Sequence, residues 1–491
     1  MDDRATSAAD GRAGGPRGTG YDLLIDLAAE RRRGAGARAG LEAALREAVR
    51  EGRLAPGGRL PSSRALARDL GLARNTVADA YAQLVAEGWL TARQGSGTSV
   101  APRPSAPPPG RGEVPRHHGG RAPEPPYSLT PGSPDLSAFP RSAWAAAARR
   151  ALTAAPSEAF GYTDPRGRPE LRSALAEYLA RVRGVRADAE RIVVCTGFVQ
   201  AVGLLGRALH ARGARRIAVE ELGLPDIRAV LRASGLHTAP LRLDEDGAQV
   251  AALDARTHAA LLTPAHQFPT GALLSPERRT AVVAWARETG GLVIEDDYDG
   301  EFRYDRQPVG ALQGLAPEHV VYAGTASKSL APGLRLAWIA VPEHLLDAVL
   351  REKRLADFNS PVLDQLTLAE FLSSGAHDRH VRRMRLRYRA RRDRLVAALA
   401  ERAPGVRVSG IAAGLHAVLR LPESAGPAEA LVARARSRGL ALPDLAAMGT
   451  LPDAGPALLV GYGAPPDHAF GGALELLCDL LAEAVGPVAD A

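Results

Sequence analysis

The chain has 491 residues, of which 46% are hydrophobic, and carries a formal net charge of +7. That length exceeds one compact domain, and the apolar content is ample for a large core. Its two cysteines, Cys195 and Cys478, lie far apart and no apolar run approaches the ~18 residues of a membrane span, so a disulfide scaffold, a cysteine-based metal site and a transmembrane segment are not expected.

The start, Met1-Asp2-Asp3, lacks a basic-then-apolar run, so a cytoplasmic protein without a secretory signal is expected. The positive charge permits a polyanionic partner without demanding one. Of the 62 basic residues only Lys328 and Lys353 are lysines. Arginine cannot form a Schiff base, because its guanidinium is effectively never deprotonated. Both lysines therefore merit inspection, although composition alone explains them equally well as chance survivors.

Residues 1–37 are rich in Ala, Gly and Arg and read as a mobile segment. A patterned unit over 38–101 follows. Leu41, Ala44, Leu45 and Ala48–Val49 fall at helical spacing, and Pro56-Gly57-Gly58 ends that element. Ser62 is expected to cap a second helix, Ser63–Leu70, closed by Gly71. A third helix starts near Arg74, buries Val77, Tyr81, Leu84 and Val85, and stops at Gly88. Two short strands, Trp89–Arg93 and Thr98–Ala101, then turn through Gln94-Gly95-Ser96-Gly97.

Helix, short turn, helix and glycine-tipped hairpin form the layout of a winged helix-turn-helix. The polar start of the third helix would face a major groove, with Arg74 and Asn75 donating to base edges or phosphates. A small helical domain with a merely solvated polar face is the plainer alternative. The stretch LPSSRALARDLGLARNTVADAYAQLVAEGWLTARQGSGTSV resembles the DNA-binding domain of GntR-type regulators. By that resemblance Arg64, Arg74, Asn75, Thr76 and Gly95 stand where family members touch double-stranded DNA, and a dimer would read two half-sites.

Residues 102–126 carry nine prolines and read as an extended linker. Over 127–491, apolar runs alternate with helical patterns: Arg191–Cys195, Arg216–Val219, Ala259–Thr263, Leu292–Glu295, Val320–Tyr322 and Leu336–Val341. Strands separated by helices predict an α/β body with a mostly parallel sheet.

Four segments of this body carry chemistry. Lys328 follows the strand at Val320–Tyr322, is flanked by Ser327 and Ser329, and precedes Arg335. An amine with hydroxyls and a guanidinium nearby suits pyridoxal 5'-phosphate (PLP), although a plain loop lysine fits equally. Glu295-Asp296-Asp297-Tyr298-Asp299 ends a strand, where open α/β sheets place ligands. A carboxylate there can pair with a pyridine nitrogen and the tyrosine with a ring hydroxyl; an acidic loop or a magnesium site uses the same residues. Thr196-Gly197-Phe198 leads into a helix whose amides can hold a phosphate. Pro264–Gly271 is a loop whose His266 is assigned no acid or base role.

In this order the segments resemble fold-type I PLP enzymes of the aminotransferase class, with a large domain and a smaller α+β domain. With the N-terminal module, the chain is similar to the MocR/GabR family of regulators, through EDDYDGEFRY, PAHQFPTG and SKSLAPGLRLAW. The resemblance makes Lys328 the Schiff-base lysine and Asp296 the partner of the pyridine nitrogen. It places Tyr298 at the ring hydroxyl, and Arg335, Thr325 and the amides of Gly197 and Phe198 at the phosphate. Tyr162, in Phe160–Gly167, would reach the phosphate of a neighbouring subunit's site.

Two departures stand out. Leu224 replaces an aromatic that normally stacks on the ring, leaving Phe198 as a substitute. The strand Ala457–Tyr462 lacks the arginine that grips a substrate carboxylate, which argues against ordinary transamination. Nine arginines within Arg379–Arg394 read as a solvated or dimer-facing helix rather than a DNA surface. The expectation is thus a homodimeric DNA-binding regulator that senses PLP or a PLP–amino-acid adduct and controls vitamin B6 or amino-acid metabolism genes. The rival is a working aminotransferase with an accessory DNA module.

Overall fold

A computed structural model describes residues 36–93, 97–102, 125–304, 309–449 and 455–485. These fall into two compact units, one within residues 1–120 and one within 121–491. Gly95 at the wing tip, most of the proline-rich segment and the first 35 residues lie outside the described residues.

In the first unit, α1 (Ala37–Arg50) begins four residues before the first patterned leucine, inside the stretch expected to be mobile. Helix α2 (Ser63–Leu70) is framed as the sequence dictates. The Ser62 side chain accepts from the Ala65 amide, and Gly71 takes the left-handed conformation (φ 64°) that favours glycine. Helix α3 (Arg74–Ala86) buries Val77, Ala80, Tyr81 and Leu84. Strands β1 (Leu90–Arg93) and β2 (Gly97–Val100) pair antiparallel, with Leu90 opposite Val100. Leu41, Leu45, Leu66, Val77, Leu84, Leu90 and Val100 close one core. A two-pronged ion pair fixes α1 to the end of α3: Arg46 Nε and Nη2 donate to Glu87 at 2.8 and 2.7 Å. The pairing holds the Glu87 carboxyl down at about 2.

The second unit is built on a seven-stranded sheet. In chain order its strands are β3 (Ile192–Cys195), β4 (Arg216–Glu220), β5 (His237–Leu241), β6 (Ala259–Leu262), β7 (Leu292–Asp296), β8 (Val320–Thr325) and β9 (Ala337–Ala340). Their spatial order is β3-β9-β8-β7-β6-β4-β5. All neighbours are parallel except those of β9, which runs antiparallel to both β8 and β3.

Period-two alternation splits each strand between two helical layers. Val193, Ile294, Val321 and Ile339 face α4 (Phe198–Ala211) and α5 (Glu343–Asp357). On the opposite face, Val194 and Trp338 meet Leu171 and Leu175, while Val293 and Val320 meet Val282 and Trp285. A smaller antiparallel sheet, β10 (Arg407–Ser409), β11 (Ala417–Arg420) and β12 (Ala457–Val460), packs with α6 (Ala376–Arg402) and α7 (Asp467–Val485). The arginine-rich run lies on α6, where Arg391 is buried and bonds Asp135 at 3.0 Å, so one of its charges serves the interior of this unit. Among the described residues no helix is long and apolar enough to cross a membrane.

Candidate functional site

Strand β7 sorts the acids of the Glu295–Asp299 run by alternation. Glu295 and Asp297 point away from the cavity. The buried Glu295 accepts the amides of Leu312 and Gln313 at 2.7 and 2.9 Å, and burial pushes it up to about 7. Asp297 accepts from Arg183 at 2.6 and 3.0 Å and from the Tyr322 hydroxyl at 2.8 Å. Asp296 and Tyr298, two residues apart, line a cavity of about 280 Å³ at the carboxyl ends of the strands.

The same cavity is lined by Lys328, Thr325, Ser327, Phe198 and Arg335. The reversal of β9 explains this convergence, because β8 returns directly as an antiparallel neighbour. The short connection between them therefore stays at the strand ends and carries Lys328 and Arg335. Lys328 Nζ donates to the Gly132 carbonyl at 2.5 Å. Desolvation lowers the pKa of its ammonium, opposed by Asp299 and Asp296. Asp296 moves the other way: burial raises its carboxyl well above the usual range, helped by Asp297 and opposed by Lys328.

Arg335 holds a left-handed backbone (φ 53°), unusual for a residue with a side chain, and its exposed guanidinium has no ion pair among the described residues. It lies directly against Gly197, the N-cap of α4. Gly197 itself has φ 122°, and any Cβ there would overlap the Arg335 guanidinium. A cation beside open first-turn amides makes an anion cradle. Of the neighbouring hydroxyls, Thr325 is already engaged, accepting the Ser327 amide at 3.1 Å and lying 3.2 Å from the Leu336 carbonyl. Ser329 is buried 3.4 Å from His377 Nε2.

Tyr298 Oη lies 3.0 Å from His266 Nδ1, which in turn lies 2.9 Å from Asp299 Oδ2. Burial, with Asp299 and Asp296 nearby, raises the Tyr298 hydroxyl well above its usual value. Tyr162 does not line the cavity. It is 91% exposed, and its ring meets Phe358 edge-on at 5.4 Å.

On the first unit, Arg38, Arg46 and Arg50 form ion pairs along α1. Arg64 and Arg74, with Asn75, are exposed and bond to nothing among the described residues, and Thr76 is half-buried. Helix α3 starts without a side-chain cap, so its first amides are open as well.

The aminotransferase class I and II family matches residues 129–450, and the gntR family of bacterial regulatory proteins matches residues 37–100. The HTH-type pyridoxine biosynthesis transcriptional regulator PdxR of Corynebacterium glutamicum is 35% identical over 397 residues, 81% of this chain and 85% of that protein. The probable rhizopine catabolism regulatory protein MocR of Rhizobium meliloti is 35% identical over 378 residues, 73% of this chain and 76% of that one. An archaeal alanine:glyoxylate aminotransferase superposes with a TM-score of 0.66 at 26% identity, covering 73% of this chain and 91% of that one. The chain belongs to the MocR-type transcriptional regulators.

PLP is the cofactor of this aminotransferase fold, and the MocR-type cavity here fits it. An unpaired guanidinium beside a glycine too crowded for any side chain matches a phosphate, and an acid and an amine line the same space. Leu224 and Phe198 both line the wall.

Several cavity residues escaped sequence reasoning. Glu220 ends β4 as Asp296 ends β7, a signal that was available; it accepts from Thr263 Oγ1 at 2.6 Å and Gln267 Nε2 at 3.1 Å. His416, buried and pushed down to about 3, arrives from the small sheet and had no linear signal. With His266 and Asp299 it brings potential ligand atoms within 4.8 Å of one another, a grouping that spacing did not reveal; His266 already engages Asp299 and Tyr298. Arg228 is the cavity's remaining cation. Its Nη2 donates to the Glu220 and Glu221 carbonyls, and it has no ion pair among the described residues.

Proposed function

We propose that this MocR-type regulator is a cytoplasmic homodimer whose sequence-specific DNA binding responds to PLP or a PLP–amino-acid adduct. One observation carries the proposal: a single chain joins a helix-turn-helix with unpaired arginines to a cavity where Lys328, Asp296 and Arg335 converge. When bound, PLP supplies an aldehyde for an amine and a ring that withdraws electrons. Lys328 offers its nitrogen with a pKa depressed by burial, so more of it is neutral and nucleophilic than for a surface lysine. Asp296 holds a proton at the pyridine nitrogen and Tyr298 orients the ring hydroxyl. Arg335 and the amides of Gly197 and Phe198 hold the phosphate, and Thr325 joins them once its hydroxyl turns from the Leu336 carbonyl. Arg64, Arg74, Asn75, Thr76 and Gly95 contact the operator.

Support for the dimer comes from exposed apolar side chains on two stretches, Phe160–Tyr162 and Leu355–Leu363, joined by the Tyr162–Phe358 contact. The corynebacterial relative is named for pyridoxine biosynthesis, and we take genes of vitamin B6 supply as the first targets to test. Full-length protein should bind DNA upstream of its own gene with an affinity that PLP shifts by about fivefold or more. The PLP-dependent visible absorption and the shift should both vanish in Lys328→Ala. Equal affinity with and without PLP would overturn the sensing role.

Arg228 favours a second reading, a working aminotransferase. An arginine without a carboxylate partner can grip a substrate carboxylate even though β12 offers none. Steady turnover of an amino acid with a keto acid would decide for it; half-reactions alone would not.

A further inference from the structure

Of the two lysines, only Lys328 lines the cavity. Lys353 lies on α5 and is 0% exposed. Its ammonium donates to both Asp357 carboxylate oxygens, at 2.6 and 2.7 Å, and to Ser360 Oγ at 2.9 Å. Those three bonds satisfy all three donors of an ammonium, whereas the five donors and wider fork of an arginine would be left partly unsatisfied in the same buried space. That is a physical reason for a lysine here in a chain that otherwise uses arginine. Asp357 is the last residue of α5, where the helix dipole disfavours a carboxylate, so it needs this cation.

The network continues toward the cofactor. Asp357 Oδ2 also accepts from Gln200 Nε2 at 2.7 Å, and Gln200 Oε1 accepts the Thr196 backbone amide at 2.8 Å. Thr196 immediately precedes Gly197, whose backbone packs against the Arg335 guanidinium. A chain of hydrogen bonds therefore runs from a buried ammonium to the peptide that opens the anion cradle. Just beyond Asp357, Phe358 sits at φ 62°, ψ −60°, and the Asn359 amide donates back to the Asp357 carbonyl at 2.6 Å. This is the positive-φ γ-turn, a rare and strained conformation. It carries the ring that meets Tyr162.

We propose that Lys353 is a positioning residue for the cofactor phosphate, holding the Thr196-Gly197 turn in place through Asp357 and Gln200. It touches neither the ring nor the reacting atoms. The proposal rests on the assignment of this cavity to PLP, and the phosphate itself provides the test. Pyridoxal has the same ring and aldehyde without the phosphate, so a defect confined to the cradle discriminates between the two ligands.

The experiment is equilibrium binding of PLP and of pyridoxal to the full chain, followed by visible absorption. The variants are Lys353→Met, which keeps the length and removes the charge, and Gln200→Leu, which cuts the chain while leaving the Lys353–Asp357 pair intact. In both, the Kd for PLP should rise about tenfold, while the Kd for pyridoxal stays within about twofold. Equal losses for the two ligands would mean general damage to the pocket and would overturn the proposal, as would no loss for either. Should Lys353→Met fail to fold, Gln200→Leu carries the same expectation and the same refutation. Wild-type protein that binds PLP no better than pyridoxal would remove the phosphate site itself, a failure distinguishable from that of Lys353.

Discussion

Gly197 is held in place by two independent constraints. Its φ of 122° is one that side-chain-bearing residues rarely adopt, and its missing Cβ is the space occupied by the Arg335 guanidinium. Gly197→Ala should therefore push the guanidinium out of the cradle. Weakening of PLP binding by at least about tenfold is expected, since a charge-assisted contact to phosphate is of that order or larger. Absorbance titration measures it, and an unchanged Kd would show that Arg335 does not meet the phosphate. At the DNA-binding unit, Arg74→Ala should weaken operator binding while leaving the PLP absorption intact. Arg74 is exposed and has no partner among the described residues, so its removal leaves no internal group unsatisfied. A gel-shift titration with normal affinity would count against α3 as the recognition helix.

Among the elements, α6 shows how burial fixes a pH response. His377 and His380 project from it toward Ser329, the residue after Lys328; His380 Nε2 lies 2.9 Å from the Ser329 carbonyl, and burial pushes both rings down to about 4. An unfolded histidine titrates near 6.5, so below that pH the unfolded chain takes up protons that the folded one refuses. Stability from His380 is thus fully present above about 6.5 and is lost as pH falls toward 4, by about 2 kcal/mol between pH 7 and pH 5. His380→Gln, which keeps an N–H donor for Ser329, should show a smaller drop in Tm over that interval than wild type; an identical drop would place the uptake elsewhere. Sequence legibility also varied by element. Helix α2 was readable to the residue because Ser62 and Gly71 are local signals. Strand β5 was missed because Pro240 and an exposed, alternating pattern make it an edge strand without a continuous apolar run. The reversal of β9 was not legible, since a hydrophobic run carries no direction. The His266–Asp299–His416 grouping depends on a loop of one sheet meeting a segment beside another, which no spacing encodes.

For the whole molecule, the proposed dimer makes a prediction that a monomeric site cannot satisfy. Tyr162 is 91% exposed on its own subunit and lies outside the cavity that Lys328 lines. If its hydroxyl completes a neighbour's phosphate site, Tyr162→Phe and Lys328→Ala damage different chains of the same site. A homodimer of either variant has two defective sites. In a mixed dimer, one site combines the altered lysine with the altered tyrosine and is lost. The other combines an intact Lys328 on one chain with an intact Tyr162 on its partner and is restored. Co-expression with two affinity tags isolates the mixed species, and PLP titration should find one wild-type site for every two chains. Were Tyr162 to act within its own subunit, the chain with the intact lysine would still carry the Tyr162→Phe defect, and no wild-type site would return. Light scattering on the untagged protein gives the independent requirement: a mass near 51.5 kDa, that of one chain, would exclude the shared site altogether. A mass of twice that, together with a restored site, would mean that each cofactor pocket is built by two chains.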